Sequence, residues 1–199
     1  MRLSDDAIHG LNVALNEATW LGLSVDTEGA RAAATLAVLS LPESGPAPED
    51  RRVQLLMQPV GRIAASYRQG RWNDDTASVL PLTLAELERL TVERTMPVYG
   101  WDFLNQEERD PVATWPQPLS LDVTLDADAC SISLDLHHDT DNFLAVRLWF
   151  DDFRILTPNR GQLELSAFIQ GGRRWWDGLH SGDPRTEGFG IVPLKSPDH

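Results

Sequence analysis

The sequence predicts an α+β fold dominated by antiparallel β-structure, as one sheet or a two-sheet sandwich, with one helix at the N-terminus and one near the middle. Three observations carry that prediction. Apolar and polar residues alternate over most of the chain, most regularly at Leu119, Leu121, Val123 and Leu125 and again at Ile132, Leu134 and Leu136. Clusters of Gly, Pro, Asn and Asp punctuate these runs at short intervals. Only two segments combine helical spacing with a capping signal. At 199 residues and 42% hydrophobic content, the chain can bury a core without a disulfide or structural metal. It reads as a single domain over 1–199, and a finer reading divides it into two similar β-rich halves, 19–95 and 118–194.

The elements follow in order. Ser4 is an N-cap followed by Asp5 and Asp6 in the first turn, where the helix dipole favours acids, and Ile8, Leu11 and Leu15 recur at three and four. This spacing predicts a helix over 5–18. Leu21, Leu23 and Val25, then Leu36 and Val38, alternate on either side of Thr27-Glu28-Gly29 and predict a hairpin. Val53 to Met57 and Ile63 to Tyr67 predict a second hairpin broken at Pro59-Val60-Gly61. Thr83 and Glu86 form a capping box ahead of Leu84, Leu87 and Leu90, which predicts a helix over 84–93. The prolines between Met96 and Pro118 suit an irregular connector. Beyond it, strands are predicted to Ile132–Leu136 and over 143–150, 153–157 and 162–170. Asp126-Ala127-Asp128, Asp151-Asp152 and Pro158 to Gly161 read as turns, and Gly171-Gly172 as the end of the meander. Arg173 to Trp176 would start a short helix, and the tail from Ser196 reads as disordered.

The formal net charge is −13, of which residues 101–199 contribute −9, so nucleic acid and anionic membrane surfaces are poor partners. A charged partner should be a basic protein facing the second half. Cys130 is the only cysteine, which removes a disulfide framework and a Cys-based zinc site. The N-terminus lacks an apolar signal run, no stretch is long and apolar enough to span a membrane, and a cytoplasmic protein is expected. All but one of the 17 basic residues are arginine, a composition typical of GC-rich bacterial genomes. No glycine-rich phosphate loop or dinucleotide fingerprint occurs, so no cofactor is expected.

Three groups of residues are candidates for function. Asp126, Asp128, Asp151 and Asp152 fall at turns of the acidic half and could face a basic protein, although charges there also keep strands from pairing with other chains. Trp175 and Trp176 are adjacent, so they cannot both face one core, and the outer ring is either a binding anchor or part of a lid over the sheet end. Asp135, His137 and Asp139 share one face of a strand and could converge on a metal ion, but no metalloprotease motif accompanies them. His137 and His138, being adjacent, point to opposite faces.

With its strands at Leu119–Leu125, Ile132–Leu136, Val146–Phe150 and Phe153–Leu156, and the segment Leu148-Trp149-Phe150-Asp151-Asp152, the second half resembles uncharacterised bacterial β-rich domains. Some of those are assigned as toxin-immunity proteins. The resemblance implies a non-enzymatic binding or regulatory protein and supplies no catalytic residue. The alternative reading is a metal-assisted hydrolase using the His137/His138 cluster.

Overall fold

A computed structural model describes residues 2–71, 74, 76–93, 96–97, 101–106, 118–139 and 142–189. Ser4 accepts from the Ala7 amide and starts helix α1 (Asp5–Leu15), which ends with the last residue of its apolar pattern and three residues short of the predicted 5–18. The predicted first hairpin is present as β1 (Thr19–Asp26) and β2 (Arg31–Ala37). A bulge between Trp20 and Gly22 changes the phase of β1, so Trp20 is buried and Leu21 only half so, against the simple alternation.

The predicted second hairpin does not form. Val53 to Tyr67 belongs to one 17-residue strand, β3 (Arg52–Arg68), which passes through Pro59 and bends at a bulge between Val60 and Arg62. Helix α2 (Leu84–Glu93) has the predicted limits. Its capping box closes both ways: the Thr83 amide donates to Glu86 Oε2 at 2.7 Å and the Glu86 amide to Thr83 Oγ1 at 3.2 Å. The expected irregular connector contains two strands instead, β4 (Met96–Pro97) and β5 (Trp101–Asn105); Trp101 and Phe103 are buried while Asp102 faces out.

Strands β6 (Leu121–Thr124) and β7 (Ile132–Asp139) lie where alternation put them. The next two predicted strands are one, β8 (Phe143–Leu156), and Asp151-Asp152 is not a turn. Its core-facing residues are even-numbered from Leu144 to Phe150 and odd-numbered at Phe153 and Ile155. The break in alternation is therefore a change of phase within a continuous strand. The predicted strand over 162–170 is a further correction: only β9 (Gln162–Leu163) is extended, and helix α3 (Leu165–Ser181) follows. Gly171-Gly172 lies inside α3 and does not end the meander. A Cβ on Gly172 would stand 2.5 Å from Ala14 Cα, so the glycine permits α3 to cross α1 closely. The tail from Ser196 lies outside the described residues.

The strands form one antiparallel sheet in the order β4-β1-β2-β3-β8-β7-β5, with β6 also on β3 and β9 also on β8. β3 and β8 pair over almost their whole length and join the strands before and after them into that one sheet. One face carries Leu36, Leu55, Met57, Ile63, Leu134, Leu136, Val146 and Leu148, packed with Leu11 and Leu15 of α1 and Phe168 and Ile169 of α3. Helix α2 lies against β1, where the Leu23 amide donates to Thr91 Oγ1 at 2.8 Å and the Val25 amide to Glu88 Oε1 at 2.7 Å. Those bonds occupy backbone groups of an outer strand that would otherwise be open to pairing with another chain.

Candidate functional site

The four turn-region aspartates gather around the bend of the β3–β8 pair. The segment after β6 crosses β3 at Gly61, whose carbonyl accepts from the Leu125 and Asp126 amides at 2.8 and 3.1 Å. A Cβ on Gly61 would lie 1.8 Å from the Ala129 carbonyl oxygen, so this crossing requires glycine. Asp126 Oδ1 accepts from the Asp128 amide at 3.1 Å, closing the turn. At the other end of the segment, Asp151 Oδ1 accepts from the Ser131 amide at 3.0 Å and from its hydroxyl at 2.6 Å. Burial works against ionisation of Asp151, but the Ser131 hydroxyl and amide outweigh it and hold the carboxyl below the usual carboxylate range.

The four acids thus divide by role. Asp126 and Asp151 are half-buried, the first closing the turn within the segment 125–131 and the second fastening the end of that segment to β8, whereas Asp128 and Asp152 are exposed. Asp152 stands opposite Gln58 across the strand pair, three residues before the Gly61 crossing.

The residues of the alternative metal cluster are arranged otherwise. Asp135 and Arg147 are cross-strand neighbours with both carboxylate oxygens engaged by the guanidinium. His137 is half-buried with its ring edge-on to Phe143 at 6.0 Å, and His138 is 3% exposed on the face of Leu134 and Leu136. The side chain of Asp139 lies outside the described residues. Among the described residues no group of three His, Cys, Asp or Glu side chains is placed to hold a metal ion.

A ladder of charged and aromatic groups occupies the second face of the sheet, and the sequence reading did not find it. Arg62, 4% exposed, is held bidentate by Asp122 of β6 through bonds of 2.6 and 2.9 Å. Its guanidinium carbon lies 4.9 Å from the centre of the Trp149 ring, and that of Arg147 lies 5.5 Å from the same ring. The order Asp122, Arg62, Trp149, Arg147, Asp135 therefore crosses strands β6, β3, β8 and β7. Each arginine has a carboxylate partner and an aromatic face, which is how a buried guanidinium is tolerated. The only available signal was the pairing of opposite charges across strands, and that needs the register.

Trp175 and Trp176 divide as adjacency requires. Trp175 is 1% exposed and packs with Leu39, Leu41 and Leu179. Trp176 is half-buried, and its Nε1 donates to the Val13 carbonyl of α1 at 3.1 Å. Between α1 and α3 runs an open groove of about 380 Å³ lined by His9, Asn12, Val13, Asn16, Trp176 and His180. Among the described residues no helix is long and apolar enough to cross a membrane. Compared with known protein families, curated proteins and solved structures, the chain matches none.

Proposed function

We propose that the protein is a non-enzymatic binding or regulatory protein, immunity-like in kind, which uses the acidic corner at the β3–β8 bend to capture a basic protein. The observation that supports this reading is the pair of exposed carboxylates, Asp128 on the pinned segment 125–131 and Asp152 on β8, in the half of the sequence that carries most of a −13 net charge. Ordered acidic groups on a fixed scaffold accelerate encounter with a basic surface and disfavour acidic competitors. Asp126 and Asp151 contribute by fixing that scaffold.

The test is capture of partners by the purified chain, comparing Asp128→Lys/Asp152→Lys with Glu28→Lys/Glu43→Lys, which has the same net charge and alters exposed acids elsewhere. The reading expects a basic partner to be retained by the wild-type chain and the Glu variant and lost from the Asp variant. Equal retention by all three contradicts it.

A further inference from the structure

We propose that a polar pocket on the second face of the sheet, where β2, β3 and the end of β8 meet, binds a small tetrahedral oxyanion, phosphate or the phosphoryl group of a monoester, independently of the acidic corner. The pocket has a volume of about 200 Å³, and its polar lining is Thr35, Arg52, Gln54, Thr157 and Arg160. Among the described residues no carboxylate lines it, in a chain whose acids outnumber its bases 30 to 17.

Strand register explains why these residues meet. Val53 and Leu55 face the core, so Arg52 and Gln54 share the opposite face of β3. Thr35 of β2 pairs with Gln54 on one side, and Leu156 of β8 pairs with it on the other, directly before Thr157. The chain then turns tightly onto β9: the Thr157 amide donates to the Gly161 carbonyl and the Arg160 amide to the Thr157 carbonyl, both at 2.8 Å. That turn holds Arg160 at φ 60°, a left-handed conformation where glycine and asparagine are the ordinary residues. An arginine is therefore kept where the backbone favours a smaller side chain.

The donors of the pocket are open to a ligand. Arg52 Nε and Nη2 donate to Asp50 at 2.9 and 2.7 Å, which fixes the guanidinium and leaves Nη1. Among the described residues the side chains of Thr35, Gln54 and Arg160 make no hydrogen bond or ion pair, although Thr35 and Gln54 are half-buried. Since Asp50 neutralises Arg52, the excess positive charge of the pocket rests on Arg160.

This lining selects the ligand class. A guanidinium fork complements an oxyanion that offers paired acceptors, while a hydroxyl and a carboxamide add single donors from other chain segments. A tetrahedral oxyanion accepts from several directions at once, whereas a carboxylate accepts in one plane. The volume falls below the usual range of small-molecule sites, which suits a phosphoryl group and not a whole nucleotide. The acidic corner does not oppose binding. Asp152 pairs with Gln58, four residues along β3 from Gln54, or about 13 Å at the rise of a strand. Salt screens charges over about 8–10 Å at ordinary ionic strength.

The experiment is titration of the full chain with inorganic phosphate, phenyl phosphate and acetate at constant ionic strength, by amide NMR shifts and calorimetry. Concentrations up to about 50 mM saturate a site of about 1 mM affinity. Phosphate or phenyl phosphate should shift the Thr35, Gln54 and Arg160 amides saturably, and acetate should bind more weakly. Phenyl phosphate binding as tightly as phosphate or tighter identifies a monoester as the ligand, and weaker binding identifies the free ion. Arg160→Asn, which suits the left-handed backbone, should unfold no lower than wild type yet weaken binding about tenfold or more. Thr35→Val keeps the β-branched shape and should weaken it several-fold, so it decides if Arg160→Asn misfolds. Arg31→Gln, an exposed change that removes one charge elsewhere on β2, should leave binding unchanged. The proposal is overturned if neither phosphate compound gives a saturable shift, if acetate binds as tightly, or if folded Arg160→Asn and Thr35→Val bind as wild type does. It is equally overturned if Arg31→Gln loses as much affinity as Arg160→Asn, since general charge would then account for the effect.

Discussion

At Asp151 a carboxylate joins two strands through a residue twenty positions away, since both the amide and the hydroxyl of Ser131 donate to it. Replacing it with alanine leaves two part-buried donors without their acceptor and should lower the unfolding free energy by about 1–2 kcal/mol in urea titration. The pH dependence has a definite sign. A carboxyl held below its usual range in the folded chain stabilises it above the unfolded value near pH 4, and that contribution is lost as pH falls below it. The Asp151→Ala variant should therefore show a shallower acid limb, and an unchanged limb would count against the Ser131 contacts. Gly61 gives a purely steric test. Gly61→Ala drives a methyl group into the Ala129 carbonyl, so it should cost roughly 1–3 kcal/mol; a neutral result would mean that segment 125–131 does not cross there.

Among the elements, the paired strands β3 and β8 hold the arginine–tryptophan ladder. Arg147→Ala should destabilise by about 3–5 kcal/mol because it strands Asp135, which is 7% exposed, whereas Asp135→Leu/Arg147→Met should recover most of that loss. Denaturant midpoints of the two single variants and the double variant decide the matter, and simple additivity would show that the pair is not coupled. The same strands mark where the sequence was legible. Capping at Ser4 and at Thr83 with Glu86 is written within four residues, so both helices could be placed, α2 to its ends. Hairpin β1–β2 and strands β6 and β7 follow from alternation with clean turns. β3 and β8 were each read as two strands, for different reasons. In β3 odd-numbered residues face the core from Val53 to Met57 and again from Ile63 to Tyr67, and Pro59-Val60-Gly61 between them imitates a turn; in β8 a bend changes which parity faces the core, which local alternation cannot distinguish from a turn. Helix α3 was missed because Leu163, Leu165 and Ile169 fit a period of two, while the spacing of Leu165, Phe168, Ile169, Gly172, Trp175 and Leu179 at three and four was interrupted by glycines read as breakers. Gly172 serves the contact with α1, and Gly171 the close approach of Ser40. The groups that fasten Asp151 and Asp135 were not legible at all, because their partners are set by strand register.

For the whole molecule, the bend that misled the alternation is also where charge is concentrated. It brings the segment 125–131 from one side and the β8 residues Asp151 and Asp152 from the other onto a single corner, with Asp151 fastening the segment, Asp126 closing its turn and two acids exposed. Reversing Asp128 and Asp152 should leave stability within about 0.5 kcal/mol per site, since exposed substitutions seldom do more. Reversing Asp151 as well should not be benign, for the reason given by Ser131. If the exposed pair steers a basic partner, the effect lies in the rate of encounter, which salt screens over about 8–10 Å at ordinary ionic strength. The most direct measurement is the association rate constant of the captured partner, by stopped flow across a salt series, for the wild-type chain and Asp128→Lys/Asp152→Lys. The wild-type rate should fall steeply with added salt, and the variant rate should be slower and nearly flat. Equal rates with the same salt slope in both proteins would contradict it.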